Sequence, residues 1–308
     1  MCVTCGCSDD AQTTVTNPQT GETTLVETDN HHHHTHTHTH TLPDGTVITH
    51  SHGGGHTHQH STGEEHRHHQ EDDRVITKSH PVEDVSHIHA QIHNRTIALE
   101  REILGKNDLI AAQNRGWFKG RNILALNLVS SPGAGKTTLL VRTINDLKSE
   151  LTISVIEGDQ ETVNDANKIR ETGCKVVQIN TGTGCHLEAA MVERGYTELD
   201  PPLNSIVAIE NVGNLVCPAL FDLGERAKVA ILSVTEGEDK PIKYPHMFRA
   251  SQVMIITKID LLPYVEFDVN RCIEYARTVN PDIRIFQLSS TTGEGLNHWY
   301  DWLRNFNR

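Results

Sequence analysis

The chain has 308 residues and a net charge of -13 at pH 7, unevenly spread: residues 1–93 hold 3 Lys or Arg against 13 Asp or Glu, and the rest 24 against 27. A near-neutral body behind an acidic tail argues against nucleic-acid binding, which needs a basic face to neutralise phosphates. No apolar run is long enough to enter a membrane, and no Lys or Arg precedes Arg67 to open a signal peptide, so the expectation is a cytoplasmic chain whose seven cysteines are reduced thiols.

The chain opens with MCVTCGC, which sets Cys2, Cys5 and Cys7 as CxxCxC (residues 1–7). Three thiolates this close can wrap one soft or borderline metal ion, and Gly6 frees the backbone to turn between the last two. Residues 8–80 form an acidic tail rich in Thr, Asp, Glu and His, with too little apolar surface to fold, and are expected to be disordered. Of 22 histidines, 19 lie at or before His93, so the tail is built for imidazole chemistry. His31, His32, His33, His34, His36, His38 and His40 form one array, and residues 50–60 carry a second. Imidazole with a pKa of ~6.5 is mostly neutral at pH 7, and such an array holds Ni²⁺, Zn²⁺ or Cu²⁺ weakly and interchangeably.

Residues 81–120 change character. Val85, Ile88, Ile92, Leu99, Ile103 and Leu104 recur at roughly helical spacing, and a second short helix is expected from Asp108 to Arg115, the two forming a prelude packed on the following domain. Residues 121–308 alternate short apolar runs with helical segments. Strands are expected at 123–129, 153–157, 176–180, 205–210, 228–234, 252–257 and 284–288. That alternation predicts an α/β fold, a doubly wound and mainly parallel sheet with helices on both faces, whose ligands bind at the carboxyl ends of the strands.

The chemistry concentrates there. SSPGAGKTT (130–138) follows the first strand and opens a helix, the order a P-loop requires. The backbone of Gly133, Ala134, Gly135 and Thr138 is placed to cradle phosphates, Lys136 to reach the β/γ-phosphates and Thr137 to offer its hydroxyl to Mg²⁺; Ser130 stands where the pattern has its first Gly. The second strand runs into Asp159, placed to reach Mg²⁺ or orient the attacking water. The fourth ends in Glu210, and ENVG resembles the γ-phosphate-sensing DxxG element. TKID (257–260) matches the base-reading NKxD element, with Lys258 and Asp260 in place and Thr257 for its Asn. The Asp carboxylate accepts from guanine N1–H and N2–H, which favours GTP over ATP. Ser289 and Ser290, after the last strand, resemble the loop that meets guanine O6. Cys185, His186 and Cys217 form a candidate metal site beside the segment expected to sense the γ-phosphate, with plain thiols as the equal alternative.

Taken together, CxxCGC, the His-rich insert, SPGAGKTT, EGD, GCH, ENVGNLVCP and KIDLLPY resemble the HypB family of hydrogenase nickel-incorporation GTPases, relatives of the urease accessory GTPase UreG. The resemblance implies a metallochaperone that delivers Ni²⁺ to the nickel–iron hydrogenase large-subunit precursor in a GTP-dependent step. It also implies nucleotide-linked homodimerisation and a partner, the accessory metallochaperone HypA. By position it assigns Cys2, Cys5 and Cys7 as high-affinity nickel ligands and Cys185, His186 and Cys217 as a nickel/zinc site. Deviant P-loop ATPases carry a signature Lys where this chain has Ser131. With no Gln or Arg placed as a catalytic finger, turnover is expected to be slow. The rival reading is a non-catalytic nickel/zinc store that uses its P-loop domain only to dimerise.

Overall fold

The structure is a computed structural model and describes residues 14–16, 23–25, 36–41, 47–52, 83–159 and 164–305. It divides into two compact units, Met1–Val26 with Ala90–Arg308, and Glu27–His89. Cys2, Cys5, Cys7 and His31–His34 lie outside the described residues.

The larger unit is built on seven parallel strands, β5(Leu124–Ser130), β6(Ile153–Asp159), β7(Val176–Asn180), β8(Ile206–Glu210), β9(Ala227–Ser233), β10(Val253–Thr257) and β11(Arg284–Gln287). Their order across the sheet is β11-β10-β9-β5-β8-β6-β7, with β1(Thr14–Thr16) and β2(Thr23–Leu25) added antiparallel at the β7 edge. Each strand predicted from its apolar run is present. Strands β5, β8, β9 and β10 are buried along their whole length, as strands covered on both faces must be, and this is why they read as continuous Leu/Val/Ile/Ala runs.

Helices cover both faces. On one, α2(Lys136–Leu147) buries Leu139, Leu140, Ile144 and Leu147 beside Trp299, Trp302 and Leu303 of α9(Leu296–Asn305). On the other, α4(Ala189–Leu199) packs Val192, Tyr196 and Leu199 against Ile156, Val207 and Ile209. Farther along, Met247 and Phe248 of α7(Pro245–Ala250) and Cys272 and Ala276 of α8(Val269–Val279) seal the β9–β10 side. Two further short helices, α5(Cys217–Leu220) and α6(Lys240–Lys243), lie in the loops after β8 and β9. Strands β5, β6, β8, β9 and β10 end in Ser130, Asp159, Glu210, Ser233 and Thr257, so the predicted chemistry lies at the carboxyl edge.

One expectation is corrected. Instead of two helices across residues 83–120 there is one, α1(Glu83–Gly120): no Pro stops it, and it runs on through Gly105 because the Asn107 side chain bonds Asp222 O and Ala189 N–H rather than capping a new helix. Within the tail expected to be disordered, strand structure appears at β1, β2, β3(His36–Thr41) and β4(Val47–His52). β3 and β4 pair antiparallel, placing His36 opposite His52 and His38 opposite His50. Alternation of His with Thr, followed by a Val-Ile run, suits the extended backbone, which tolerates β-branched residues better than a helix does.

The C-terminal part of α1 is fastened by polar groups as well as rings. Trp117 stacks on Tyr196 with centroids 4.0 Å apart, and Phe118 meets both edge-on. Fully buried Asn114 donates to the carbonyls of Ala189 (2.8 Å) and Leu223 (3.0 Å) and accepts from the Tyr196 hydroxyl (3.1 Å). Asn107 likewise donates to Asp222 O (2.7 Å) and accepts from Ala189 N–H (2.9 Å). Gly224, at φ +85, has no room for a Cβ against the α1 backbone. The Asn114→Ala variant strands two carbonyls and a hydroxyl, each worth about 1 kcal/mol or more when buried unpaired. It should lose about 3 kcal/mol in urea unfolding; a loss below about 0.5 kcal/mol would mean that these polar bonds do not hold the helix.

Candidate functional site

The P-loop takes the backbone form its sequence demands. Gly133 (φ 76°) and Gly135 (φ 98°) both sit in the left-handed region, and Gly135 caps α2. Ala134 is buried between them and Thr138 is exposed in the first turn, so successive N–H groups line the opening of the helix. The Lys136 ammonium donates to Ser130 Oγ (2.9 Å). Burial lowers its pKa, and the nearby Glu210, Asp165 and Glu157 carboxylates pull the other way.

The Thr137 hydroxyl faces Glu210 Oε1 at 2.6 Å and Asp165 Oδ2 at 3.2 Å. Glu210 is paired in register with Glu157 on the adjacent strand β6. Both are buried, and one oxygen of each, Oε2, has no hydrogen-bond partner among the described residues. Burial, then the mutual repulsion of the acids, lifts Glu157 to about 9. Burial also raises Glu210, and the Asp159 carboxylate is close enough to add to both shifts. This surplus of acid around a threonine hydroxyl fits a divalent oxygen-loving cation: Thr137, Glu210, Asp165 and Asp159 are the groups that would hold Mg²⁺.

The base-side loops are tied to the P-loop. Buried Thr257 donates to Ala134 O (2.7 Å), and Lys258, at φ 60°, donates to Gly133 O (2.8 Å). The threonine in place of Asn therefore still braces the phosphate loop. Asp260 lies half-buried in the first turn of the 3₁₀ segment Ile259–Tyr264. Buried Ser289 accepts the N–H groups of Thr291 (3.2 Å) and Thr292 (3.1 Å), and Ser290 O accepts from Arg142 (3.2 Å).

The three metal candidates converge. Cys185 Sγ lies 2.9 Å from Cys217 Sγ and 3.7 Å from His186 Nδ1, and all three donor atoms fall within 4.8 Å of one another. Burial drives the His186 pKa down to about 4, so the imidazole is neutral and available as a ligand through the physiological range. The ring rests on Phe221, centroids 4.0 Å apart, with Glu188 Oε1 3.8 Å from Nε2. Two thiols and one neutral imidazole suit a borderline d-block ion such as Ni²⁺ or Zn²⁺.

One short segment joins this triad to the P-loop. After Glu210, Asn211 Oδ1 accepts from Leu187 N–H (3.1 Å), its amide donates to Asn127 of β5 (3.2 Å), and Gly213 lies close over Pro132. Asn214 donates to Cys185 O (3.3 Å), and Cys217 opens α5.

Comparison with known proteins decides the family. A family model described as CobW/HypB/UreG, nucleotide-binding domain, matches residues 124–287. Hydrogenase maturation factor HypB of Escherichia coli K12 is 55% identical over 218 residues, covering 71% of this chain and 75% of the relative. The chain belongs to the HypB family of hydrogenase maturation factors. The HypB of Rhizobium leguminosarum is 57% identical over 217 residues, covering 70% of this chain and 73% of the relative. Among solved structures, HypB of Archaeoglobus fulgidus superposes at TM-score 0.62 with 35% identity, covering 66% of this chain and all of that one. HypB of Helicobacter pylori in complex with nickel gives TM-score 0.62 at 37% identity, over 66% and 95% of the two chains.

Against this HypB-family frame, three groups at the phosphate end escaped the sequence analysis. Glu157 sits two residues before the expected Asp159, and period-2 alternation would have put both on one face of β6. Asp165 lies in α3(Asn164–Arg170) and is brought in only by the fold; it also ion-pairs with Lys168 at 2.7 Å. Lys240, from α6, lies beside Ser131. Because folded Glu157 keeps its proton up to about 9 while the unfolded chain releases it near 4.5, unfolding sheds a proton in between. Stability of the nucleotide-free chain should therefore fall as pH rises across that window. Glu157→Gln removes the acid, so its thermal midpoint should exceed the parent's at pH 8 and converge on it at pH 5. Parallel pH profiles would contradict this assignment.

Proposed function

We propose that this maturation factor is a GTP-hydrolysing nickel metallochaperone of the cytoplasm, which holds Ni²⁺ as cargo and passes it to the nickel–iron hydrogenase large-subunit precursor. The observation that carries the reading is the segment from Glu210 to Cys217. Its first residue touches the P-loop threonine and its last is a thiol of the Cys185–His186–Cys217 triad. A nucleotide domain and a soft-metal site built on one eight-residue segment are what a nucleotide-controlled metal carrier needs. The H. pylori relative was solved in complex with nickel, which supports nickel as the cargo here.

In this account GTP binds with its phosphates on the backbone of Gly133, Ala134, Gly135 and Thr138, Lys136 on the β/γ-phosphates, and guanine between Lys258, Asp260 and the Ser289–Ser290 loop. Mg²⁺, when bound at Thr137, Glu210, Asp165 and Asp159, offsets phosphate charge. The γ-phosphate fixes the segment at Gly213, and Asn214 transmits that to the Cys185 carbonyl. Three donors leave the ion open to entry of a partner's ligand, and nucleotide-linked pairing of two copies or docking of HypA would supply the acceptor. Zn²⁺ fits the same triad. Cys2, Cys5 and Cys7 serve as a tighter nickel site, and the His-rich tail as a store.

The test separates the two sites. Lys136→Ala should abolish GTP hydrolysis and leave nickel stoichiometry unchanged. Cys217→Ser should weaken triad nickel affinity by about 100-fold or more, since even lost supporting contacts cost about 10- to 100-fold, and leave GTP binding intact. Hydrolysis of ATP as fast as GTP, or full nickel delivery by Lys136→Ala, would sink the proposal.

A further inference from the structure

The described cations at the phosphate end are more numerous than a P-loop alone supplies. Lys240 follows its N-cap, Asp239, at the start of α6, in the loop after β9. Its ammonium lies 3.4 Å from Ser131 Oγ, the P-loop residue next to the one that holds Lys136. Ser130 links the two, accepting from Lys136 while its own hydroxyl donates to Ser131 O at 2.6 Å. Glu236 Oε2 sits 3.4 Å from the Lys240 ammonium, and Tyr244 presents its ring 5.2 Å away. Glu236 is itself fixed: its Oε1 accepts the Ser233 N–H at the end of β9 (3.0 Å), and its charge is felt at Lys136. The Lys240 side chain is only 22% exposed.

These contacts are weak for a lysine whose role is structural. Both polar distances are 3.4 Å, longer than the 2.7–2.9 Å usual for a charge-assisted bond. Lys240 is held at the mouth of the phosphate loop by partners that release it cheaply, on a flexible four-carbon stem.

We propose that Lys240 is the second cation of the phosphate site: it swings from Glu236 and Ser131 of the same chain onto the γ-phosphate of bound GTP. There it neutralises charge that builds as the water oxygen bonds to the γ-phosphorus and the water's proton passes to a γ-phosphate oxygen. The bond from that phosphorus to the β–γ bridging oxygen breaks, its electron pair leaves on GDP, and inorganic phosphate is released. The role a catalytic Gln or Arg would play thus falls to a lysine from the β9–α6 loop, and it distinguishes GTP from GDP because only GTP presents the γ-oxygens. Glu236 is the positioning residue, holding Lys240 aside while the γ-phosphate is absent. The inference rests on the GTPase reading above.

The experiment uses the full chain and measures single-turnover GTP hydrolysis together with GDP and GTPγS affinity. Lys240→Ala should slow hydrolysis by about 100-fold, the scale of losing one preorganised charge donor. It should weaken GTPγS binding by about 10-fold and leave GDP binding unchanged. Lys240→Met, which keeps the apolar stem beside Tyr244, should behave like Lys240→Ala and so separates loss of charge from loss of fold. Lys240→Arg should recover part of the rate, and Glu236→Gln should tighten GTPγS over GDP by freeing the lysine. Unchanged hydrolysis in Lys240→Met, or equal losses for GDP and GTPγS, overturns the proposal. If the parent hydrolyses no GTP, or Lys136→Ala matches it, the GTPase reading has failed instead; the GTPγS-over-GDP affinity ratio then still decides whether Lys240 contacts the γ-phosphate.

Discussion

Glu210 is the constraint around which the molecule is arranged. Its carboxylate is buried at the end of a central strand, beside a second buried acid and within reach of Asp159 and Asp165, and accepts the hydroxyl of the P-loop threonine. A buried carboxylate with one oxygen unpartnered among the described residues is costly unless a cation meets it. The site is thus poised to gain from a divalent ion and a triphosphate, and the loss of either changes the forces on the segment that begins at Glu210. Everything attached to that segment inherits the dependence.

What is attached to it is the metal triad. The Asn211 and Asn214 side chains bond backbone, one accepting from Leu187 N–H and the other donating to Cys185 O, so the Cys185–His186 loop is tied to the segment. Behind Cys217, Lys228 is buried and donates to Pro218 O (2.6 Å) and Phe221 O (3.2 Å), pinning the short helix from its C-terminal side. Phe221 supports the His186 ring, and the residues just after it carry the bonds that clamp α1. The triad therefore lies between a packed wall and the segment that starts at Glu210, the part proposed to respond to nucleotide. That division is what lets a small shift in one loop alter donor geometry without disturbing the core.

Legibility in the sequence followed the physics of each feature. Strands buried on both faces write themselves as apolar runs, and a P-loop writes itself as Gly and Lys at fixed spacing, so the sheet and the phosphate cradle could be read directly. The Cys185–His186–Cys217 triad was half-legible: adjacent ligands suggested it, but 32 residues of chain separate the two thiols and only the fold brings them to 2.9 Å. Glu157 was legible only through its two-residue spacing from Asp159, which puts both acids on one face of β6, and not from its own place inside an apolar strand. Asp165 and Lys240 were hidden because tertiary packing alone delivers them to the phosphate end. Helix α1 was misdivided because its apolar spacing falters near Lys106 and Asn107, where Asn107 is buried for its hydrogen bonds rather than exposed.

The central claim is that nucleotide state sets metal affinity through the Glu210–Cys217 segment. The most direct measurement is nickel affinity of the triad with GDP and with GTPγS, in a chain whose Cys2, Cys5 and Cys7 are replaced by Ser so that only one tight site reports. The account predicts a difference of about 10- to 100-fold, equivalent to about 1.4 to 2.8 kcal/mol of coupling. It also predicts that Asn214→Ala collapses most of that difference. Equal nickel affinity in the two nucleotide states would contradict the account and leave two sites that share a fold without sharing a mechanism.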